Sequence, residues 1–442
     1  MFQLHCLVAG VIVYRIRYCL KASFTLLFLF VWVSVPAAAP THAQAPAREA
    51  GSELTVYLAT MGQGDQVWEK FGHNAIWIRD ALTGTTIAYN YGIFDFAQER
   101  FIPRLVKGRM LYSMGVSDAE GELAAYSYFN RSVTLQRLNL TPAQRHSLRE
   151  FLEWNWLPQN RDYLYDYFRD NCSTRVRDAL DRVLGGALRA SLAGVPTGTS
   201  FRSESLRLTA ASPATYTGLM LALGVPTYER IDAWEAAFVP MGLMRHLRTV
   251  RVTDGEGRSV PLVAEEIAAF EADREPPPDA APNRLAVYLL IGLVCAAALL
   301  ALAQAARSNR FVRGALALGI LFWGVVTGFF GTILALLWLF TDHAAAYPNL
   351  DLLQVNPLGL LLAAAAPFAV IGSRSSRVAR LAWPAAVVLT ALSATGVLLQ
   401  ALPAVRQMSG PLIALVLPIH VAVAAALYTL RDRASSPAGD DV

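Results

Sequence analysis

Two kinds of patterning divide the chain. From Gly51 to Glu275 apolar and charged residues interleave at short intervals, as in a domain that buries its own core. Beyond the proline-rich stretch REPPPDAAPNR almost every residue up to Leu430 is apolar. Within the first part, HNAIWIRD alternates from His73 onward and reads as a strand; the turn ALTG joins it to a second strand, TTIAYNYG. TPAQRHSLREFLEW reads as an amphipathic helix with Thr141 as cap and Pro142 in its first turn. A further helix is predicted to begin at Cys172, because Val176, Leu180, Val183 and Leu184 fall at helical spacing after Asp170 or Asn171 as N-cap, and Gly185-Gly186 ends the pattern. Strands and helices mixed in this way predict an α+β domain.

In the second part five apolar stretches approach the roughly 20 residues a membrane helix needs. They run from about Leu285 to Ala306, Gly314 to Phe340, Pro357 to Gly372, Leu381 to Leu402 and Pro411 to Leu430; the third is the shortest and is open to a re-entrant reading. Arg307, Arg310 and Arg313 fall in one loop, Arg374, Arg377 and Arg380 in another, and Arg431 and Arg433 in the tail. These are alternate loops, so the positive-inside rule puts them in the cytoplasm and the first domain on the exported side of an inner-membrane bundle.

The start of the chain agrees with export. Arg15, Arg17 and Lys21 precede an apolar run from Phe24 to Val35, and Ala43-Gln44-Ala45 has the small-x-small pattern of a signal peptidase site; an uncleaved anchor is the alternative. The expected organisation is a signal peptide over 1–45, an exported domain over 46–275, a linker over 276–284, membrane helices over 285–430 and a cytoplasmic tail over 431–442. The high hydrophobic content, 54%, comes from the membrane half, and the net charge of +4 comes largely from its topogenic arginines. No patch suited to nucleic acid stands out.

Export changes the meaning of the cysteines. Cys6 and Cys19 lie in or before the leader and Cys295 in the first membrane helix, so Cys172 is alone in the exported domain. An unpaired thiol in an oxidising compartment is either buried and inert or retained for its reactivity. At a helix start, orphan amides and the helix dipole favour the thiolate, and Arg169 and Arg175 add positive potential. A nucleophile needs a base. His146 fits the exposed face of its helix and His246 a basic surface stretch, whereas His73 stands at a strand start after Gly72, which permits positive φ or a close backbone approach. A histidine there, opposite a cysteine at a helix start, suits a Cys-His pair. Tyr89, Asn90 and Tyr91 on the partner strand compete to orient the imidazole, since one step of register exchanges their faces; Asn90 is preferred on chemistry. No metal-ligand spacing and no phosphate-binding glycine loop is present, so no cofactor is expected.

FGHNAIWI, YNYGIFDF, RFIPRLVKGRMLY and YDYFRDNCSTRVRDAL together resemble the Lnb-type N-terminal periplasmic domain, and TDHAAAYPNLDLLQVNPLG resembles the loop pattern of the membrane domain that follows it. Two departures stand out: Asp351 where asparagine is expected, and GQGD at 62–65 without a preceding proline. The resemblance implies a permuted papain-like, NlpC-like fold ahead of about five membrane helices, with His73 and Cys172 catalytic. It implies acyl transfer from a membrane phospholipid through a Cys172 thioester to an amine, the N-terminus of a diacylglyceryl-cysteine lipoprotein. The Cys172 amide, with a neighbouring amide or Asn171, is then expected to hold the oxyanion, while His343, Asn349, Asn356 and Arg175 are expected around the substrate. A cell-wall amidase or endopeptidase using the same pair, and a non-catalytic envelope sensor or assembly module, are the alternatives.

Overall fold

The computed structural model describes residues 48–372, 376–402, 405 and 407–432. The segment expected to be a signal peptide, with Cys6 and Cys19, and Arg374, Arg406, Arg433 and the rest of the tail, lie outside the described residues.

The exported part is an α+β domain built on one sheet. Its strands are β1 (Leu54–Met61), β2 (His73–Asp80), β3 (Thr86–Phe94), β4 (Leu111–Asp118), β5 (Val133–Leu138), β6 (Asp162–Leu164) and a late strand, Val263–Phe270. In space they run late strand, β5, β1, β2, β3, β4, β6, each antiparallel to its neighbours. Strand periodicity sorts the side chains. Val56, Leu58, Ile76, Ile78, Tyr89 and Tyr91 point to one face and pack under helices α3 (Pro142–Trp156) and α4 (Cys172–Val183). Ala59, Met61, Ala75, Trp77 and Ala88 point to the other, covered by α2 (Ala119–Tyr128). Both faces are thus buried, which accounts for the nearly continuous apolar run in β2.

Two sequence features act as expected. Thr141 caps α3 through the Gln144 amide, with Pro142 in the first turn, and Gly72 takes φ +83°, where a Cβ would stand 2.6 Å from the Met61 carbonyl oxygen.

Five apolar helical segments follow, Leu285–Ala305, Arg310–Phe340, Leu350–Val370, Ala379–Gln400 and Gly410–Arg431, each long and apolar enough to cross a membrane. The third is composite: a 3-10 turn at Leu350–Leu353 leads into an α-helix at Leu358–Val370. Small residues let the backbones approach, as is usual where lipid offers no hydrophobic drive between helices. A Cβ on Gly328 would lie 2.4 Å from the Leu360 amide nitrogen, and one on Gly324 2.8 Å from that of Ala363. The exported domain stands directly on this bundle, with Leu206, Tyr216 and Met220 packed on Tyr288, Leu412 and Val416.

Candidate active site

Cys172 is the first residue of α4, and its position is set by the cap. The Asn171 side-chain oxygen accepts from the amides of Ser173 (2.8 Å) and Thr174 (2.9 Å), while the Thr174 hydroxyl accepts from the Asn171 amide at 2.7 Å. The Asn171 side-chain nitrogen donates to the carbonyls of Tyr167 and Phe238. Both its donors are therefore used within the fold, and its side chain cannot serve an oxyanion as expected from sequence. Ser173 fastens the helix start to β2 by donating to the Asn74 side chain at 2.8 Å. Opposite, a bulge in β3 places Gly92 at φ +87°, where a Cβ would come within 3.3 Å of the Cys172 Cβ. In this setting the backbone amides of Asn74, Ser173 and Cys172 favour the ionised form of the thiol. Asn74 directly follows His73, so the thiol meets β2 at the residue beside the histidine.

The hairpin register places Asn90 against the histidine. Ala75 pairs with Asn90, which puts Asn90 on the His73 face and turns Tyr89 and Tyr91 into the core beneath α3 and α4. Asn90 Oδ1 lies 2.9 Å from His73 Nε2. Its amide nitrogen donates to Glu122 and Ser117, and Glu122 also accepts from Trp77 Nε1 at 3.2 Å. Because Glu122 holds the donor end of Asn90, Asn90 offers its oxygen to the histidine. Nε2 then carries the imidazole proton, and Nδ1 keeps its lone pair. Glu122 has no counterpart in the sequence reading; it sits in the first turn of α2 and reaches the site only through the tertiary fold.

Electrostatics correct a second expectation. Burial pushes the Cys172 thiol up to about 11, against the three amides and the Arg131 cation, which favour the thiolate. Burial also pulls His73 down to about 4; the Asn90 bond opposes this and Arg131 adds to it. The resting pair is thus thiol and neutral imidazole, because desolvation outweighs the helix start. Arg131, bonded to the Gly62 carbonyl and to Glu69, is the cation that acts on both groups. Arg175 does not face the thiol as a free charge: it forms a two-pronged bond to Asp170 and lies 3.5 Å over the Tyr163 ring.

The remaining candidates take structural posts. Asn349 is buried and joins the Leu221 carbonyl to Gln407, and Asn356 bonds the Leu352 carbonyl and the Leu358 amide where the backbone crosses Gly331. These bonds, like those of Asn171 and Arg175, tie the side chains to the fold. His343 reaches the exported domain, with Nε2 donating to the Leu105 carbonyl at 3.1 Å. His146 pairs with Glu150 on its helix face. Among the described residues no cluster of histidine, cysteine or carboxylate is arranged to hold a metal.

A family model described as the Lnb N-terminal periplasmic domain matches residues 44–203, a span that contains His73, Asn90, Glu122 and Cys172. A second, the Lnb transmembrane domain, matches residues 282–431 and takes in all five apolar helices. No curated protein and no solved structure matches the chain. With both models matched in order, and with a sheet domain followed by five apolar helices, the chain belongs to the Lnb-type family of multi-pass membrane proteins.

Proposed function

We propose that the protein is a cysteine acyltransferase of the inner membrane, taking an acyl chain from a phospholipid and passing it to the amino terminus of a diacylglyceryl-cysteine lipoprotein. One observation carries this reading: a buried thiol opens the helix that is bonded, through Ser173, to the residue following a histidine held by Asn90, in a domain packed on a membrane bundle. The His-before-Cys order and the strand-to-helix setting also fit a permuted papain-like enzyme.

Sγ attacks the ester carbonyl as His73 Nδ1 takes the thiol proton, since a thiol held near 11 ionises only as it reacts. The acyl C–O bond breaks, and His73 returns the proton to the departing lysophospholipid oxygen. The acceptor amine then attacks the thioester and loses a proton to His73; the C–S bond breaks, and the thiol is restored. The oxyanion of each step falls to the amides of Cys172 and Asn74, because Ser173 already donates to Asn171. Low resting basicity of His73 does not prevent this role, because the thiolate and imidazolium are stabilised together as they form.

Full-length protein in detergent with phospholipid should gain the mass of one acyl group on Cys172, removable by neutral hydroxylamine. Cys172→Ser should gain no hydroxylamine-labile group, and His73→Ala should gain it at least about a hundredfold more slowly. A diacylglyceryl-cysteine peptide should discharge the adduct faster than water does. No adduct, with release of muropeptides from cell wall, would instead establish the amidase alternative; unchanged lipid and cell-wall chemistry in Cys172→Ala cells would make the thiol structural.

A further inference from the structure

Helix α1 (Phe101–Lys107) follows β3 and buries none of its residues. Ile102 and Val106 are about 60% exposed, and with Leu105 and the neighbouring Phe96 they form an apolar surface that the fold leaves uncovered. Arg104 and Lys107 stand beside it in the last turn. Such a surface in water is costly, and a short helix with apolar and basic flanks suits the boundary between acyl chains and headgroups.

Its attachment supplies the location. The Leu105 carbonyl accepts from His343, the Lys107 carbonyl accepts from the Asp342 amide at 2.8 Å, and Arg109 pairs with Asp342. His343 lies three residues beyond Phe340, the last residue of an uncharged apolar run in the Arg310–Phe340 helix. Three residues of chain reach at most about 11 Å, so α1 is held within or beside the interfacial layer. From Phe96 a chain of rings leads inward: Phe94 at 4.6 Å between centroids, then Tyr112 at 5.0 Å, then Tyr165 stacked at 4.0 Å. Tyr165 and Cys172 both border Gly92, within 3.8 Å of where its Cβ would stand.

We infer that α1 and Phe96 dip into the exported leaflet of the bilayer, where Arg104 and Lys107 meet phospholipid phosphates, and that the ring chain guides an acyl chain from that leaflet to Cys172. The guide rests on the proposed acyl transfer; the contact with the leaflet does not. The test uses full-length protein in nanodiscs of phosphatidylethanolamine and phosphatidylglycerol, including a phosphatidylglycerol with a diazirine high on its acyl chain. Lipid adducts are mapped by mass spectrometry, and Cys172 acylation is followed in parallel.

The peptide containing residues 94–109 should be labelled within about threefold of the peptide containing Trp338. Ile102→Glu combined with Val106→Glu should cut that labelling, and the rate of Cys172 acylation, at least tenfold at an unchanged melting temperature. Should the double variant misfold, Phe96→Ser, at a residue 70% exposed, gives the same reading. Absence of label on 94–109 in the native protein overturns the membrane contact, whether or not Cys172 is acylated. Native-rate acylation in a variant that has lost the label overturns the guide. Labelling without any acylation upholds the contact and removes the proposed chemistry.

Discussion

At the scale of single residues, a buried neutral pair shapes both reactivity and stability. His73 binds its proton near 4 in the fold but near 6.5 when exposed, so between those values the unfolded chain takes up the proton and the fold does not. Its contribution is complete above about 6.5 and is lost as pH falls toward 4, by at most about 3 kcal/mol. Cys172 works in the opposite sense: its raised value means that the unfolded thiol ionises first, so stability falls as pH rises from about 9 to 11. Thermal melting of the detergent-solubilised protein should therefore be flattest between about pH 6.5 and 9. His73→Gln should soften the acid limb and Cys172→Ser the alkaline one; unchanged limbs would show that neither group is buried uncharged. The same burial explains why the helix start alone misjudged the thiol. Capping amides and dipole can be read locally, but the desolvation that outweighs them comes from β2, β3 and the aromatic rings packed around them.

At the scale of elements, hydrophobic period identified the His73 hairpin, α3, α4 and the apolar helices, because each signal lies within one contiguous stretch. It left the register of β2 on β3 open, and that register selects Asn90 over its tyrosine neighbours. The glycines of the Arg310–Phe340 helix were likewise legible as small residues but not as contacts. Gly328 has the Leu360 amide where its side chain would go, so Gly328→Leu must push two helices apart. Overpacking of this kind costs about 1–3 kcal/mol. A melting temperature several degrees lower in detergent, with the exported domain's secondary structure retained by circular dichroism, is the expected result; an unaltered melt would mean that the helices do not touch there.

For the whole molecule, orientation and attachment matter together. By the positive-inside rule the arginine loops are expected on the cytoplasmic side of the bundle, while the loop holding Asp342, His343 and Asn349 is bonded to the exported domain through Lys107, Leu105 and Leu221. A loop fastened to that domain has to share its side of the membrane. Reporter fusions after Arg310, Arg377 and Val442 should report the cytoplasm, and one at His343 the exported side; an exported C-terminus would overturn the five-span topology.

Much of this was determined by sequence alone: an exported α+β domain, five apolar helices, a histidine opening a strand and a cysteine opening a helix. Each is written in local spacing, where side-chain period and capping chemistry act over a few residues. Tertiary structure decided what those residues do to one another. It set the Asn90 register, brought Glu122 and Arg131 to the histidine and thiol, and kept that pair neutral. It also committed Asn171, Arg175, Asn349 and Asn356 to caps, ion pairs and loop bonds. Desolvation and hydrogen-bond saturation depend on atoms distant in the chain, so no local pattern encodes them.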